Sequence, residues 1–195
     1  NYFEEYQGWL ATVELNTRMT LMVIPEGYLN VNTGQLNSKD TIKVYLRSAT
    51  APYDKVDSAK GIVDSINFIT KLYFCNVNHG NFYINVWQRN SIETWSSNPI
   101  LIENNSNLSY DFTNSSSRAF GENQVLVQNK WCMFSGDTNS DGMIDATDII
   151  SIKNDASAFV SGYVVTDING DGITDASDLL MTQNNNINFA TIKAP

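Results

Sequence analysis

The chain has 195 residues, 42% of them hydrophobic, with 21 acidic against 12 basic side chains and a formal net charge of −9. That is enough for one large domain or two smaller ones with real cores. An acidic chain with no basic face excludes nucleic acid as a partner. No run is long and apolar enough to span a bilayer, and the opening residues do not read as a signal peptide.

Residues 1–16 form an aromatic lead with Tyr2, Phe3, Tyr6 and Trp9. It reads either as a first strand or as an arm that contacts a neighbouring subunit by strand addition. From Met19 the pattern is all-β: Thr20 to Ile24, Thr41 to Ser48, Lys55 to Val63, Phe68 to Val77, Phe82 to Trp87, Ile100 to Ile102, Leu108 to Phe112 and Gln124 to Met133. Ile42, Val44 and Leu46 alternate with Lys43, Tyr45 and Arg47, the period of a half-buried strand. Strands joined by Gly/Asn/Ser turns predict a two-sheet antiparallel sandwich. The texture changes near Ser135, so the expected units are 1–16 (arm or first strand), 17–134 (β-sandwich) and 135–195 (a small α module).

The second unit repeats one phrase. Asp137, Asn139, Asp141, Asp145 and Asp148 occupy positions 1, 3, 5, 9 and 12 of a loop with Gly142 at position 6. Asp167, Asn169, Asp171, Asp175 and Asp178 do the same around Gly172, 30 residues later. A hard divalent ion takes six to eight oxygens, and the glycine allows the sharp turn around it. Met143 and Ile173, at position 7, would supply main-chain carbonyls. Two structural Ca²⁺ ions are therefore expected. Ile149, Ile150 and Ile152 lead a short helix, and Leu179, Leu180 and Met181 lead its partner. Thr147 or Asp148, and Ser177 or Asp178, are the expected caps. The apolar faces should pack together, so that the pair folds as one unit coupled to the metal. Asp141→Ala or Asp171→Ala should then unfold this module and leave the sandwich intact.

Asp rather than Glu at position 12 suits millimolar Ca²⁺, and with the Asn/Ser/Thr-rich composition points to an extracellular, cell-surface location. Asn104, Asn107 and Asn114 fit the glycosylation triplet, although Asn- and Ser-rich text also makes such triplets by chance. Cys75 and Cys132 either pair as a disulfide or remain two buried thiols. His79, in a Gly/Asn turn, reads as a solvated side chain. Glu93 lies between Trp87 and Trp95, a pattern of aromatic packing more than of a sugar site. The acids outside the loops are scattered, mostly in turns. With no hydrolase elbow, P-loop or zinc-protease motif, the chain is not expected to be an enzyme.

The first unit, with Gly80 to Trp95 as its main cue, resembles Ig-like or transthyretin-like sandwiches, including carboxypeptidase regulatory-like modules. The duplicated loop–helix unit resembles dockerin type I repeats, which bind Ca²⁺ and dock onto a cohesin. That resemblance places the partner-contacting pair on Ala146-Thr147 and Ala176-Ser177, followed by Lys153-Asn154 and Gln183-Asn184 in place of a Lys/Arg-rich helix. Arg89 to Ser96, Leu108 to Thr113, Trp131 to Asp137 and the repeats together resemble C-terminal regions of secreted surface proteins of Bacteroidota and Ignavibacteria-like bacteria. Two functions are expected. One is an extracellular structural subunit that self-assembles into a fibre or array through strand or edge contacts. The alternative is a dockerin-type module that binds a cohesin-like receptor and anchors a larger assembly.

Overall fold

The computed structural model describes residues 17–77, 79–103 and 105–195. The aromatic lead, with Tyr2, Phe3, Tyr6 and Trp9, and the sequon residue Asn104 lie outside them. The strands run β1 (Thr17–Met22), β2 (Leu29–Asn30), β3 (Gln35–Leu36), β4 (Asp40–Ser48), β5 (Lys55–Val63), β6 (Ile69–Phe74), β7 (Gly80–Gln88), β8 (Ser91–Trp95), β9 (Ile100–Ile102), β10 (Asn107–Asp111), β11 (Val125–Val127) and β12 (Lys130–Cys132). Two helices come after them, α1 (Ala146–Ser157) and α2 (Ala176–Ile187).

Among the described residues one main sheet has the order β10-β1-β6 and a larger one β5-β4-β7-β8, with β9 on the edge of β7; β2-β3 and β11-β12 are separate two-stranded pairs. Between the two main sheets lies a core in which Ile42, Val44, Leu46, Ile84, Val86, Phe74 and Phe112 have no exposed surface. The period-two pattern of β4 thus faces inward as its sequence predicts. The expectation of a purely antiparallel sandwich needs correction. β1 pairs antiparallel with β6 but parallel with β10, in the register Met19–Leu108 and Leu21–Tyr110. β10 sets Leu108 and Tyr110 beside Met19 and Leu21, and the long path through the intervening strands supplies the crossover that a parallel pair requires.

The cysteines are both free. Cys132 is buried, but Cys75 is exposed, so the picture of two buried thiols holds for one of them only. Burial pushes the Cys132 thiol upward and keeps it protonated.

The two-residue turn between β7 and β8 links the sandwich to the C-terminal module. Arg89 and Asn90 are buried, an uncommon setting for polar turn residues, whose groups then need partners inside the protein. Arg89 donates to the Tyr28 hydroxyl and to the carbonyl of Val164, and its Nε lies 3.4 Å from Asp40 Oδ2. Asp40 also accepts from Gln88 (2.5 Å), from the Tyr163 hydroxyl (2.5 Å) and from the Thr41 N–H (2.7 Å). This acid, expected in a turn, is the anionic centre of a network joining the two parts of the chain. The connecting segment is fixed too. Main-chain bonds tie Met133 to Ile24, Phe134 to Ile92 and Gly136 to Asn90, and Ser135 N–H donates to Glu26.

Candidate metal-binding loops and partner face

Each acidic loop is a series of side-chain-to-backbone turns. Asp137 is 2% exposed. Its carboxylate accepts the N–H groups of Asp141 (3.2 Å) and Gly142 (3.1 Å). Asn139 Oδ1 then accepts from Asp141 N–H (2.9 Å), and Asp141 Oδ1 from Met143 N–H (3.0 Å). The second loop repeats these bonds from Asp167, Asn169 and Asp171. Gly142 and Gly172 both have φ +88°, a left-handed conformation that costs an L side chain about 1–2 kcal/mol, which is why position 6 is glycine. Short Asx side chains that bond two residues ahead explain why these residues wrap a turn even before an ion is considered.

Positions 9 and 12 close each loop onto a helix. Asp145 caps α1, accepting from Thr147 N–H at 2.7 Å, while Asp148 Oδ2 accepts from Asp145 N–H at 3.0 Å, a reciprocal capping box. Asp175 and Asp178 form the same box on α2. The caps are therefore Asp145 and Asp175, not the expected Thr147/Asp148 and Ser177/Asp178, because the helices begin at Ala146 and Ala176 and the position-12 acid stands at the third helical position, where it reaches back to the cap N–H. The other oxygen of that acid holds the start of the loop. Asp148 Oδ1 accepts from Thr138 N–H (2.8 Å), and Asp178 Oδ1 from Ile168 N–H (2.7 Å).

Burial pushes the Asp137 carboxyl up to about 6, and repulsion from Asp148 and Asp141 adds to it. Burial also raises Asp167 and Asp178, with repulsion from Asp171 and Asp167 respectively adding to the shift. The capping acids go the other way. The Thr147 and Ser177 hydroxyls and N–H groups hold Asp145 and Asp175 below the usual range. Buried acids at positions 1 and 12 within reach of another acid have a charge deficit that a cation would fill. Among the described residues, no three Asp, Glu, His or Cys side chains draw together into a metal-holding group. A site here would therefore also use the Asn139 and Asn169 amides and the main-chain oxygens at Met143 and Ile173. Such a mixed oxygen set fits Ca²⁺ rather than a softer metal.

The folded Asp137 pKa lies above the ordinary 3.8, so in the metal-free protein its ionisation costs stability as pH rises from about 4 through about 6. A cation must displace that proton. Ca²⁺ affinity should hold above pH 6 and fall below it, by about tenfold per pH unit for one displaced proton. Calorimetric titrations at pH 5 and pH 7 check this, and equal affinities would refute it.

The residues expected to face a partner are accessible. Ala146, Thr147, Ala176 and Ser177 are all exposed, though the Thr147 and Ser177 hydroxyls are already bonded to Asp145 (2.7 Å) and Asp175 (2.6 Å). The two helices lie against each other as expected, but not all of their apolar residues are enclosed. Ile152 is fully buried, but Ile150 and Leu180 are 55% and 58% exposed at matching positions. Ile150 and Ile152 differ by two residues, which puts them on opposite sides of a helix; that spacing was the available signal. Facing the sandwich, α2 buries Thr182 and Asn185. Asn185 donates to Glu26 (2.6 Å) and to the Ser135 carbonyl (2.8 Å), a role that sequence spacing did not indicate.

Elsewhere, the sequon residues Asn107 and Asn114 and the turn residue His79 are exposed. Glu93 accepts from Asn85 (3.1 Å), and Trp95 is buried against the Tyr83 edge. With Trp87 and Ser91, Glu93 borders a cleft of about 210 Å³ beside Asp137 and Asp141.

Residues 135–188 match the family model described as the dockerin type I domain. No curated protein matches the chain. Solved structures with a similar course include two mutants of a type II cohesin–X-dockerin complex from Acetivibrio cellulolyticus. The C-terminal interface mutant is 12% identical, with 88% of this chain and 95% of that chain covered and a TM-score of 0.48. The N-terminal interface mutant has the same identity and coverage and a TM-score of 0.45.

Proposed function

Since residues 135–188 are a dockerin type I-like domain, we propose that this chain is an extracellular anchoring module that binds a cohesin-like receptor. The reading rests on one observation: the duplicated acidic loop–helix unit keeps an exposed face on each helix, at Ile150 and Leu180, while Ile152 of α1 is buried and α2 bonds to Glu26 and Ser135. Dockerin type I domains bind calcium. In this reading each loop takes one structural Ca²⁺, held by Asp137, Asn139, Asp141, Met143 O, Asp145 and Asp148 in the first. Asp167, Asn169, Asp171, Ile173 O, Asp175 and Asp178 hold the ion in the second. The division at residues 16/17 and 134/135 belongs to the same proposal, as does a role in binding rather than catalysis. No helix among the described residues is long and apolar enough to cross a membrane.

The receptor face runs from Ala146-Thr147 through Ile150 on α1 and from Ala176-Ser177 through Leu180 on α2. Exposed apolar side chains beside small polar ones make the kind of centre on which interface energy concentrates. The self-assembling reading depends on residues 1–16 or on contacts between exposed sheet edges, and no observation among the described residues favours it.

The test is binding of the full chain to a panel of cohesins by calorimetry, with Ca²⁺ and with EDTA. We expect a 1:1 complex that requires Ca²⁺. An Ile150→Asp/Leu180→Asp variant, altered only at exposed positions, should bind at least about 30-fold more weakly, the scale of an interface hot spot. A folded, Ca²⁺-loaded chain that ignores every cohesin and self-associates on concentration would restore the structural-subunit reading.

A further inference from the structure

We infer that the β-sandwich positions the second Ca²⁺ loop, and that the two loops therefore bind the ion with unequal affinity. This rests on the two-ion reading above. Side chains of the sandwich reach four main-chain carbonyls, two just ahead of the second loop and two within it. Arg89 donates to the carbonyls of Val164 and, at 3.4 Å, Asp167. Asn90 donates to the carbonyls of Val165 (3.3 Å) and Asp167 (3.0 Å). Asn37 donates to the carbonyl of Asn169 (2.9 Å). Asp167 and Asn169 are positions 1 and 3, so two ligand-bearing residues have their carbonyls fixed by another part of the protein. Packing completes the hold. Ile168 is fully buried, and a methyl group added to Gly27 would meet the Ile168 carbonyl, while one added to Gly170 would meet the Tyr28 ring.

The first loop is held by other means: the Gly142 carbonyl accepts from the Ile192 N–H (2.7 Å) and the Thr191 hydroxyl (3.1 Å), Gly136 N–H just ahead of the loop donates to the Asn90 carbonyl (2.7 Å), and Ile144 shares a buried cluster with Ile92. Among the described residues, no sandwich side chain donates to the carbonyls of Asp137 or Asn139. Asn139 and Ser140 are exposed, whereas Asn169 and Gly170 are half-buried. Position 4 is left-handed in both loops, at φ +59° for Ser140 and +72° for Gly170. Only the second loop has a glycine there to take that conformation without strain. A loop already held in its turns loses less conformational freedom when it closes on an ion. The nearby Arg89 charge does not oppose the cation at full strength, because Asp40 lies 3.4 Å from its Nε. The two repeats match in sequence, but sandwich side chains fix the main chain of ligand-bearing positions 1 and 3 only in the second, so the second site fills first.

Asn37 gives a clean test because it is exposed, and its loss should leave the fold intact. Calorimetric Ca²⁺ titrations would compare the full chain, Asp141→Asn, Asp171→Asn, and each of these combined with Asn37→Ala. The amide NMR signals of Gly142 and Gly172 in the unaltered chain would report separately which loop fills first. We expect two ions, with Gly172 responding at about tenfold lower Ca²⁺ than Gly142. Asn37→Ala should weaken the site left in Asp141→Asn by about three- to tenfold and leave the site in Asp171→Asn unchanged. Two ions bound with Gly142 responding first or both glycines together, or an Asn37→Ala effect equal in the two backgrounds, would overturn this inference alone. Fewer than two ions in the unaltered chain would overturn the two-ion reading and this inference with it.

Discussion

Replacing Arg89 with alanine should lower the stability of the whole chain by about 3–5 kcal/mol, the range for breaking a buried ion pair from one side. Arg89 is 9% exposed and Asp40 is 4% exposed. Without the guanidinium, the Asp40 carboxylate keeps Gln88 and Tyr163 as donors but loses its cation, and the carbonyl of Val164 loses its donor. Lysine should recover little, since one ammonium cannot reproduce a planar fork directed at a hydroxyl, a carboxylate and two carbonyls. Urea unfolding followed by tryptophan fluorescence measures the loss. A change under about 1 kcal/mol would mean that the network is solvated and of little consequence. Arg89→Met with Asp40→Asn separates the cost of a stranded charge from the value of the pair, and should recover part of the loss.

Withdrawing Ca²⁺ should have an effect of similar size, and it should reach the sandwich. An ion at 100 times its dissociation constant contributes about 2.7 kcal/mol per site to apparent stability. The sequence alone predicts local damage, with Asp141→Ala or Asp171→Ala melting the small module and sparing the sandwich. The structure leads to a different expectation. Asn185, Asp167, Asn169 and Val164 all bond to sandwich residues, and the connecting residues 133–136 are tied down one by one. Trp87, Trp95 and Trp131 lie in the sandwich, Trp9 lies outside the described residues, and residues 135–195 contain no tryptophan, so fluorescence reports on the chain outside the C-terminal module while helical circular dichroism is dominated by α1 and α2. With EDTA, both signals should shift together to a lower midpoint in a single transition. A helical signal that melts first, with tryptophan fluorescence unchanged, would restore the picture of two independent units.

The loop turns were legible in the sequence because their cause is local: Asx side chains and one glycine within twelve consecutive residues dictate the backbone they need. The buried face of β4 was legible because Ile42, Val44 and Leu46 repeat with the period of a strand. The contact between the units was not. Arg89-Asn90 reads as an ordinary polar hairpin turn, and Glu26 and Asp40 read as scattered turn acids. The partners of Asn90 and Glu26 across that contact lie 75 and 159 positions away, and no local pattern encodes a pairing at that distance. The helix caps failed for a smaller reason. Searching for a cap next to the first apolar residue passes over Asp145 and Asp175, which stand four residues before Ile149 and Leu179. The parallel pairing of β1 with β10 is equally a matter of tertiary arrangement.

The fully bonded segment from Met133 to Gly136 has one more consequence. A module on a slack tether samples many bearings, and a receptor that captures it must freeze that rotational freedom. Here no joint remains between the β-sheets and the two outward helix faces. The direction in which those faces point is fixed when the chain folds, before any receptor arrives. A complex formed on α1 or α2 would take its heading from the sandwich, and whatever is joined to this chain would be oriented as well as tethered.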